Sequence, residues 1–327
     1  MAVLIIGLGS MGRRRARVLR TLGETEIFGY DKNQVRLDSA VTSLGMVAVQ
    51  NPWEFIKNTE LELVIISTPP DAHAGYLAHS ISVGTPAFIE ASVTELLELE
   101  AIYAHERFSD HLVYPSLTMM FFSQIQKLKA ELPAIGKVLL LTYHVGQHVE
   151  NWHPWETPQE YYVSKPETGA CRELVPFEFG WIANIFGEIV PTASNVSRIG
   201  LDSLKIASAY SIQAELGEGR TRANLVMEVL SRPGATRMLT VIGDRGIISY
   251  TETSRELSVQ TNLDTQVFAF PPASESDEGV NPDGPYLEEL KACLSAIRTG
   301  DRGLFPNTLA EDISMLQALG KVEKLAI

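Results

Sequence analysis

Val3-Leu4-Ile5-Ile6 runs straight into Gly7-Leu8-Gly9-Ser10-Met11-Gly12, and a helix-like stretch from Arg13 to Leu22 follows. The order reads as strand, tight glycine turn, helix. In such a turn the first glycine permits the sharp bend, the second lets backbone N–H groups approach a pyrophosphate, and the third allows close helix–strand packing. The phosphates belong at the helix N-terminus, where unpaired N–H groups and the macrodipole favour negative charge. Glycines at this spacing also occur in ordinary loops, so the context decides. A second apolar segment, Glu26-Ile27-Phe28-Gly29-Tyr30, ends in Asp31, where the fingerprint places an acid at the tip of the second strand. Its carboxylate would accept hydrogen bonds from the adenosine ribose hydroxyls and repel the extra phosphate of NADP, which favours NAD. Lys32 and the arginines Arg13, Arg14 and Arg15 keep NADP open, because a cation beside the ribose accommodates a 2′-phosphate. The plain alternative is an exposed Asp in a βα turn beside a solvated basic helix.

Outward from this turn, strand-like runs alternate with amphipathic helical stretches as far as about residue 117, the pattern of a parallel sheet with helices on both faces. Val49 follows a third strand, Leu63 to Ser67 and Ala87 to Ile89 are two more, and His111 to Tyr114 is a sixth. Between the fourth and fifth, Ala72 to Val83 has helical spacing and stops at Gly84, as a helix C-cap would. The pattern then changes. Met119 to Leu132 reads as a helix closed by Pro133 and Gly136, and Val138 to Tyr143 begins strands with more alternation. Leu225 to Leu230, Arg237 to Ile242 and Gly246 to Thr251 are separated by turn signals, which predicts a hairpin-linked antiparallel sheet. Phe177 to Phe186 reads as a buried helix, Ser274 to Pro285 as a surface loop, and Tyr286 to Thr299 and Leu309 to Ile327 as closing helices. The fold class is therefore α/β: a Rossmann-type doubly wound sheet in residues 1–117, then an α+β domain with an open, mainly antiparallel sheet in 118–327. The C-terminal helix is expected to pack back on the first domain.

At 327 residues the chain exceeds one typical core. Its net charge of −13 argues against nucleic acid and anionic membrane surfaces as partners. Two cysteines, Cys171 and Cys293, stand at no metal-ligand spacing, so no metal site is expected. With neither a signal-peptide pattern nor a run of about 18 apolar residues, a cytoplasmic protein is expected.

At the level of these motifs the chain resembles the glucose-fructose oxidoreductase, inositol dehydrogenase and MocA family, NAD(P)-dependent enzymes acting mostly on sugars and their derivatives. Gly7 to Gly12 with Asp31 resembles its cofactor loop, Ile65-Ile66-Ser67-Thr68-Pro69-Pro70-Asp71-Ala72-His73 its strand-four segment, and Gly84 to Glu90 the approach to its Glu-Lys-Pro signature. Gly146-Gln147 and Asn151-Trp152-His153-Pro154-Trp155-Glu156 are similar to a subgroup found with bacterial surface-sugar biosynthesis. The resemblance implies cofactor contacts from Gly7, Gly9, Ser10, Met11, Gly12, Asp31, Lys32, Ser67, Thr68, Pro69, His73, Glu90 and Ala91. It also implies a sugar-type substrate and a homodimer or homotetramer formed through the second-domain sheet.

The chain departs from that pattern where proton transfer is expected. The signature lysine falls on Ala91, and in the second-domain helix the family's His and an Asp three residues on fall on Phe177 and Gly180. A basic residue at the start of the second domain's first helix corresponds to Met120. Oxidising a hydroxyl needs a group to take its proton, worth about 10²- to 10⁴-fold in rate, so a substitute is sought. Glu178 lies beside the vacated position, with a carboxyl expected to titrate high between Phe177 and Phe179 unless it pairs with Arg172 or faces solvent. His153 lies among Trp152, Pro154 and Trp155, beside ring surfaces suited to a sugar, and His148 shares its loop. Tyr162 sits with Tyr161 and Lys165 in a polar cluster. The leading expectation is an NAD(P)-dependent oxidoreductase of a sugar or nucleotide-sugar with atypical acid–base residues. Its rivals are a catalytically degenerate dinucleotide-binding sensor or scaffold, and NAD-recycling elimination or hydrolysis.

Overall fold

The first six strands share one parallel sheet, β1 (Val3–Ile6), β2 (Ile27–Tyr30), β3 (Val47–Ala48), β4 (Leu63–Ile66), β5 (Ala87–Ile89) and β6 (Val113–Pro115), in the order β3-β2-β1-β4-β5-β6. The computed structural model that shows this describes residues 2–152, 157–201, 203–271 and 283–326. Every residue of β1 and β4 is buried, as apolar runs covered on both faces must be. The strands are joined by α1 (Ser10–Thr21), α2 (Gln34–Leu44), α3 (Pro52–Asn58), α4 (His73–Val83) and α5 (Leu96–Tyr103). Asn33 and Asn51 cap α2 and α3 by accepting two backbone N–H groups each, and Gly84 ends α4 at φ +77 as the sequence predicts. The sixth strand is shorter than expected, because residues 110–112 form a 3-10 turn capped by Ser109.

The chain divides into two compact units, 1–121 with 275–314 and 122–274 with 315–327. In the second, α6 (Ser123–Ile135) replaces the helix expected from Met119; a 3-10 turn over Thr118–Phe121 takes that place, and α6 runs past Pro133 before Gly136 stops it at φ +76. An eight-stranded sheet follows, built from β7 (Val138–Gly146), β8 (Ile189–Ser197), β9 (Ala209–Leu216), β10 (Thr221–Glu228), β11 (Thr236–Gly243), β12 (Gly246–Thr251), β13 (Glu256–Thr261) and β14 (Thr265–Ala269). Its order is β14-β13-β12-β11-β7-β10-β9-β8, antiparallel except where β7 and β10 run parallel. The helix α7 (Ala170–Phe186) starts earlier than the apolar run alone suggested. Leu141, Tyr143, Leu225, Leu239 and Val241 are buried, whereas alternate positions such as Asn224 and Met238 are exposed.

Of the closing helices α8 (Asp283–Thr299) and α9 (Leu309–Leu325), α8 belongs to the first unit, a division that differs from a single cut at residue 117. The reason is packing: Tyr286, Leu290, Cys293, Leu294 and Ala296 join Val3, Ile5, Ala16 and Leu19 in one core. The residues from 283 are helical rather than loop, so the acidic segment is shorter than the sequence suggested.

Candidate active site

The glycine turn has the three-part geometry its spacing demands. Gly7 has φ +88, and a Cβ there would stand 2.5 Å from the Ser67 carbonyl oxygen. A Cβ on Gly12 would stand 1.8 Å from the Gly7 carbonyl oxygen, so α1 closes on the turn only because that atom is missing. Gly9 is different: a Cβ there meets nothing within 4 Å. Open space at this position is what a pyrophosphate would require. Gly9 is also the N-cap of α1, with no side chain on the helix end and no acid in its first turn, which leaves the end electropositive. Ser10 and Met11 open that helix.

Asp31 follows β2. Its Oδ2 accepts the Leu8 N–H at 2.7 Å and its Oδ1 the Asn33 N–H at 2.8 Å, so the acid also braces the turn. A carboxylate has further lone pairs for ribose hydroxyls. Lys32 is exposed.

The alternative of a solvated basic helix does not hold for two of its three arginines, which are also taken up by carboxylates rather than left for a 2′-phosphate. Arg15 is wholly buried, with Nε and Nη2 on the two oxygens of Glu90, both at 2.8 Å, and Nη1 on Glu289 at 2.7 Å. Its guanidinium lies over the rings of Phe88 and Tyr286 at 4.5 and 5.1 Å. Arg14 is buried too and pairs with Asp283 at 3.1 Å, while Arg13 reaches Ser39 and Ser43 on α2. Helical geometry turns positions 14 and 15 toward the core, where only fixed carboxylates make a guanidinium tolerable. Glu90, expected as a cofactor contact, is thus held by Arg15 and by Ser67 Oγ at 2.9 Å. Burial alone would raise this carboxyl, and Arg15 overrides it, holding Glu90 below its usual range.

Around the loop after β4, Thr68 Oγ1 donates to the Ala72 carbonyl at 3.2 Å, Pro69 is exposed, and His73 Nε2 stands 2.8 Å from the Thr68 carbonyl. That contact makes Nε2 the protonated nitrogen and leaves buried Nδ1 without a partner. Burial holds the His73 pKa below the usual histidine range, which favours the neutral ring. The N–H groups of His73 and Ala74 both donate to Glu95 Oε2 at 2.9 Å. Ala91 is partly buried, one residue beyond Glu90.

In the second unit, Glu178 is not the exposed or Arg172-paired carboxylate that the sequence allowed. It is fully buried, taking two bonds from Arg237 at 2.9 and 3.1 Å, one from the Tyr143 hydroxyl at 2.7 Å and one from Trp181 Nε1 at 2.6 Å. Arg172 instead pairs with Glu323 at 2.6 Å. Burial pushes the Tyr143 phenol well above its ordinary value. With four donors on its two oxygens, three of them on Oε2, Glu178 joins α7 to β7 and β11.

Five residues earlier on the same helix the situation reverses. Among the described residues, Glu173 receives only the Tyr162 hydroxyl on Oε1, at 3.2 Å, while its Oε2 is buried without a hydrogen-bond partner. Burial pushes this carboxyl up to about 7, the Tyr162 bond pulling weakly the other way. Glu173, Phe177 and Gly180, spaced four and three apart, lie on the less buried face of α7. The candidate Tyr162 is therefore joined to a carboxylate that sequence reasoning missed; the signal was an acid in the first turn of an apolar helix, on the face of the vacated positions. Lys165 is exposed. His148 is buried against Arg232, and His153 lies outside the described residues. Met120 is buried in the 3-10 turn.

With this geometry in place, residues 1–114 match the sequence profile of GFO_IDH_MocA, described as an oxidoreductase family with an NAD-binding Rossmann fold. The match covers the first 114 of the 327 residues and agrees with the turn, the acid and the strand order. No curated protein matches by sequence. Among solved structures, an oxidoreductase from Agrobacterium radiobacter in complex with NAD+, L-tartaric acid and magnesium superposes with a TM-score of 0.87 at 13% identity, covering 100% of this chain and 96% of that one. A levoglucosan dehydrogenase in complex with NADH and levoglucosan gives 0.83 at 14% identity, covering 100% and 97%. UDP-N-acetylglucosamine 3-dehydrogenase GnnA from Acidithiobacillus ferrooxidans gives 0.77 at 17% identity, covering 100% and 97%. At these identities the likeness establishes the fold. Among the described residues no helix is long and apolar enough to cross a membrane.

Proposed function

We propose that the protein is an NAD(P)-dependent oxidoreductase acting on a hydroxyl of a sugar or nucleotide-sugar derivative, with Glu173 as its proton acceptor. The observation that carries this reading is the Gly7–Gly12 turn with Asp31 at the tip of β2, inside a stretch that matches an NAD-binding oxidoreductase profile. The backbone N–H groups around Gly9 to Met11 hold the pyrophosphate, and Asp31 accepts from the adenosine ribose. When bound, the nicotinamide supplies the hydride acceptor. The substrate class is supported by dehydrogenases of sugars and nucleotide-sugars with the same fold.

The hydroxyl proton goes to Glu173. A carboxylate that titrates near neutrality and has one oxygen free of hydrogen bonds has both the driving force and the lone pair to accept it. Tyr162 orients the other oxygen. Glu173 thus supplies, one helical turn earlier, what Phe177 cannot. Met238, Ile247 and Val267, exposed on the sheet face opposite Tyr143 and Leu239, make that face the surface for a second copy of this chain.

The test is to mix the protein with NAD or NADP and a panel of sugars and sugar nucleotides while following absorbance of the reduced nicotinamide. Steady accumulation with at least one substrate supports the proposal. Tight dinucleotide binding without turnover across the panel favours a second reading, a dinucleotide-binding sensor, which Ala91, Phe177 and Gly180 support. Light scattering on the eluting protein tests the self-association, and a monomer at micromolar concentration would refute it.

A further inference from the structure

Tyr162 owes its place beside Glu173 to a residue that the proton transfer itself does not touch. It opens the 3-10 turn Tyr162–Ser164, whose middle residue, Val163, is fully buried. The helix α7 begins at Ala170 with Gly169 as its N-cap, so residues 165–169 alone separate that turn from the helix carrying Glu173. Thr168 spans the gap. Its hydroxyl donates to the Tyr162 carbonyl at 2.6 Å, and the Lys165 N–H donates to the same oxygen at 3.1 Å. Thr168 is wholly buried. On the helix side Arg172 Nη1 donates to the Glu167 carbonyl at 2.7 Å, and a Cβ on Gly169 would stand 3.1 Å from the Lys165 carbonyl oxygen, so the segment is folded tightly on itself.

The Tyr162 carbonyl already has a donor in Lys165, so the effect of the second bond is positional: it fixes the backbone from which the Tyr162 ring projects. That ring has little slack. Its hydroxyl meets Glu173 Oε1 at 3.2 Å, beyond the usual range for a bond between two oxygens, and a small displacement of the turn would break it. With Oε1 occupied, Oε2 is the oxygen left to react. The same bond draws the carboxyl down against the effect of burial, so its loss would push Glu173 further up.

We infer that Thr168 is a positioning residue for proton transfer: its hydroxyl clasps the Tyr162 turn to the start of α7, so that the Tyr162 hydroxyl stays on Glu173 Oε1 and Oε2 takes the proton. This rests on the proposed role of Glu173.

Wild type, Thr168→Val, Thr168→Ser and Tyr162→Phe are compared in two readouts. Carbon NMR of glutamate-labelled protein follows the Glu173 carboxyl, identified as the signal missing in Glu173→Gln, and needs no turnover. Thr168→Val, which keeps the shape and removes the hydroxyl, is expected to move that titration upward from about 7, in the direction of Tyr162→Phe and no further. Thr168→Ser keeps the hydroxyl and is expected to stay with wild type, which separates the clasp from a loss of fold. With an active substrate, kcat of Thr168→Val should fall about fivefold, the factor that one ordinary hydrogen bond represents, and the acid limb of its pH profile should move up with the titration. A Glu173 titration unchanged in Thr168→Val while Tyr162→Phe shifts it, or a Thr168→Ser variant as impaired as Thr168→Val, would overturn the clasp. A titration that shifts while turnover and its pH profile do not would overturn Glu173 as the proton acceptor, and with it the part of Thr168 in proton transfer.

Discussion

The glycine turn and the helix α7 hold the groups they offer to a ligand by opposite means. In the turn those groups are backbone N–H groups, fixed by missing side chains at Gly7, Gly9 and Gly12, and the charges nearby are spent on structure: Arg15 is locked between Glu90 and Glu289, which itself accepts from Ser116, Thr118 and the Leu117 N–H. On α7 the groups are side chains, and two carboxylates five residues apart have opposite fates. Among the described residues, Glu178 accepts four bonds and anchors the helix, while Glu173 accepts one and keeps an oxygen without a donor. Binding by backbone geometry tolerates little substitution, whereas acid–base chemistry needs only a carboxylate left under-satisfied somewhere on the correct face.

The hardest blow to the rigid side of this contrast is Gly12→Ala. With the Gly7 carbonyl 1.8 Å from the new Cβ, the turn must open, and NAD affinity is expected to fall on the order of 10³-fold, read by calorimetry. Near-normal affinity would show that the turn is plastic. Next, Arg15→Met leaves two carboxylates without their cation and should cost about 3–5 kcal/mol in denaturant unfolding. A smaller loss would mean that Glu90 and Glu289 find other partners.

On the chemical side, Glu173→Gln should lower kcat about 10²- to 10⁴-fold at unchanged NAD affinity, while Tyr162→Phe lowers it less. Equal losses in NAD binding would reassign Glu173 to structure. The same residue gives a pH signature. Its carboxyl titrates near 7 in the folded chain against an ordinary 4.5, so stability present below pH 4.5 is lost as pH rises through 7, by on the order of 3 kcal/mol. Oxidation should rise over the same interval as Glu173 deprotonates. Unfolding measured in steps across that range should flatten in Glu173→Gln, and an unaltered slope would remove the assignment. The smallest effect is Asp31→Ala, expected to weaken NAD by about tenfold, since its bonds to Leu8 and Asn33 are also lost.

Much of the first unit was legible in the chain because its signals are local. Apolar runs of four residues, glycine at a fixed spacing and an acid at a strand tip each report on neighbours in sequence, and the observed strands fall where those signals put them. The helix at Met119 was misplaced because Met119 and Met120 are buried by packing in a 3-10 turn, which apolar periodicity cannot tell from an α-helix. The arginines show a related limit: three cations in a row do not tell which of them are buried until α8, some 270 residues away, delivers Glu289.

By itself, then, the sequence determined that residues up to about 117 form a parallel sheet opened by a strand, glycine turn and helix, because a backbone that bends and packs this closely requires glycine at set places and those places are written in order. Which carboxylate keeps an oxygen without a donor, among the described residues, was decided only by the tertiary structure. Glu173 and Glu178 are the same residue type on one helix, and their difference lies in Arg237 and Tyr143, brought to Glu178 by the sheet, together with Trp181 three residues on along the same helix face. Saturation of lone pairs is a property of three-dimensional neighbours, and no spacing along the chain encodes it.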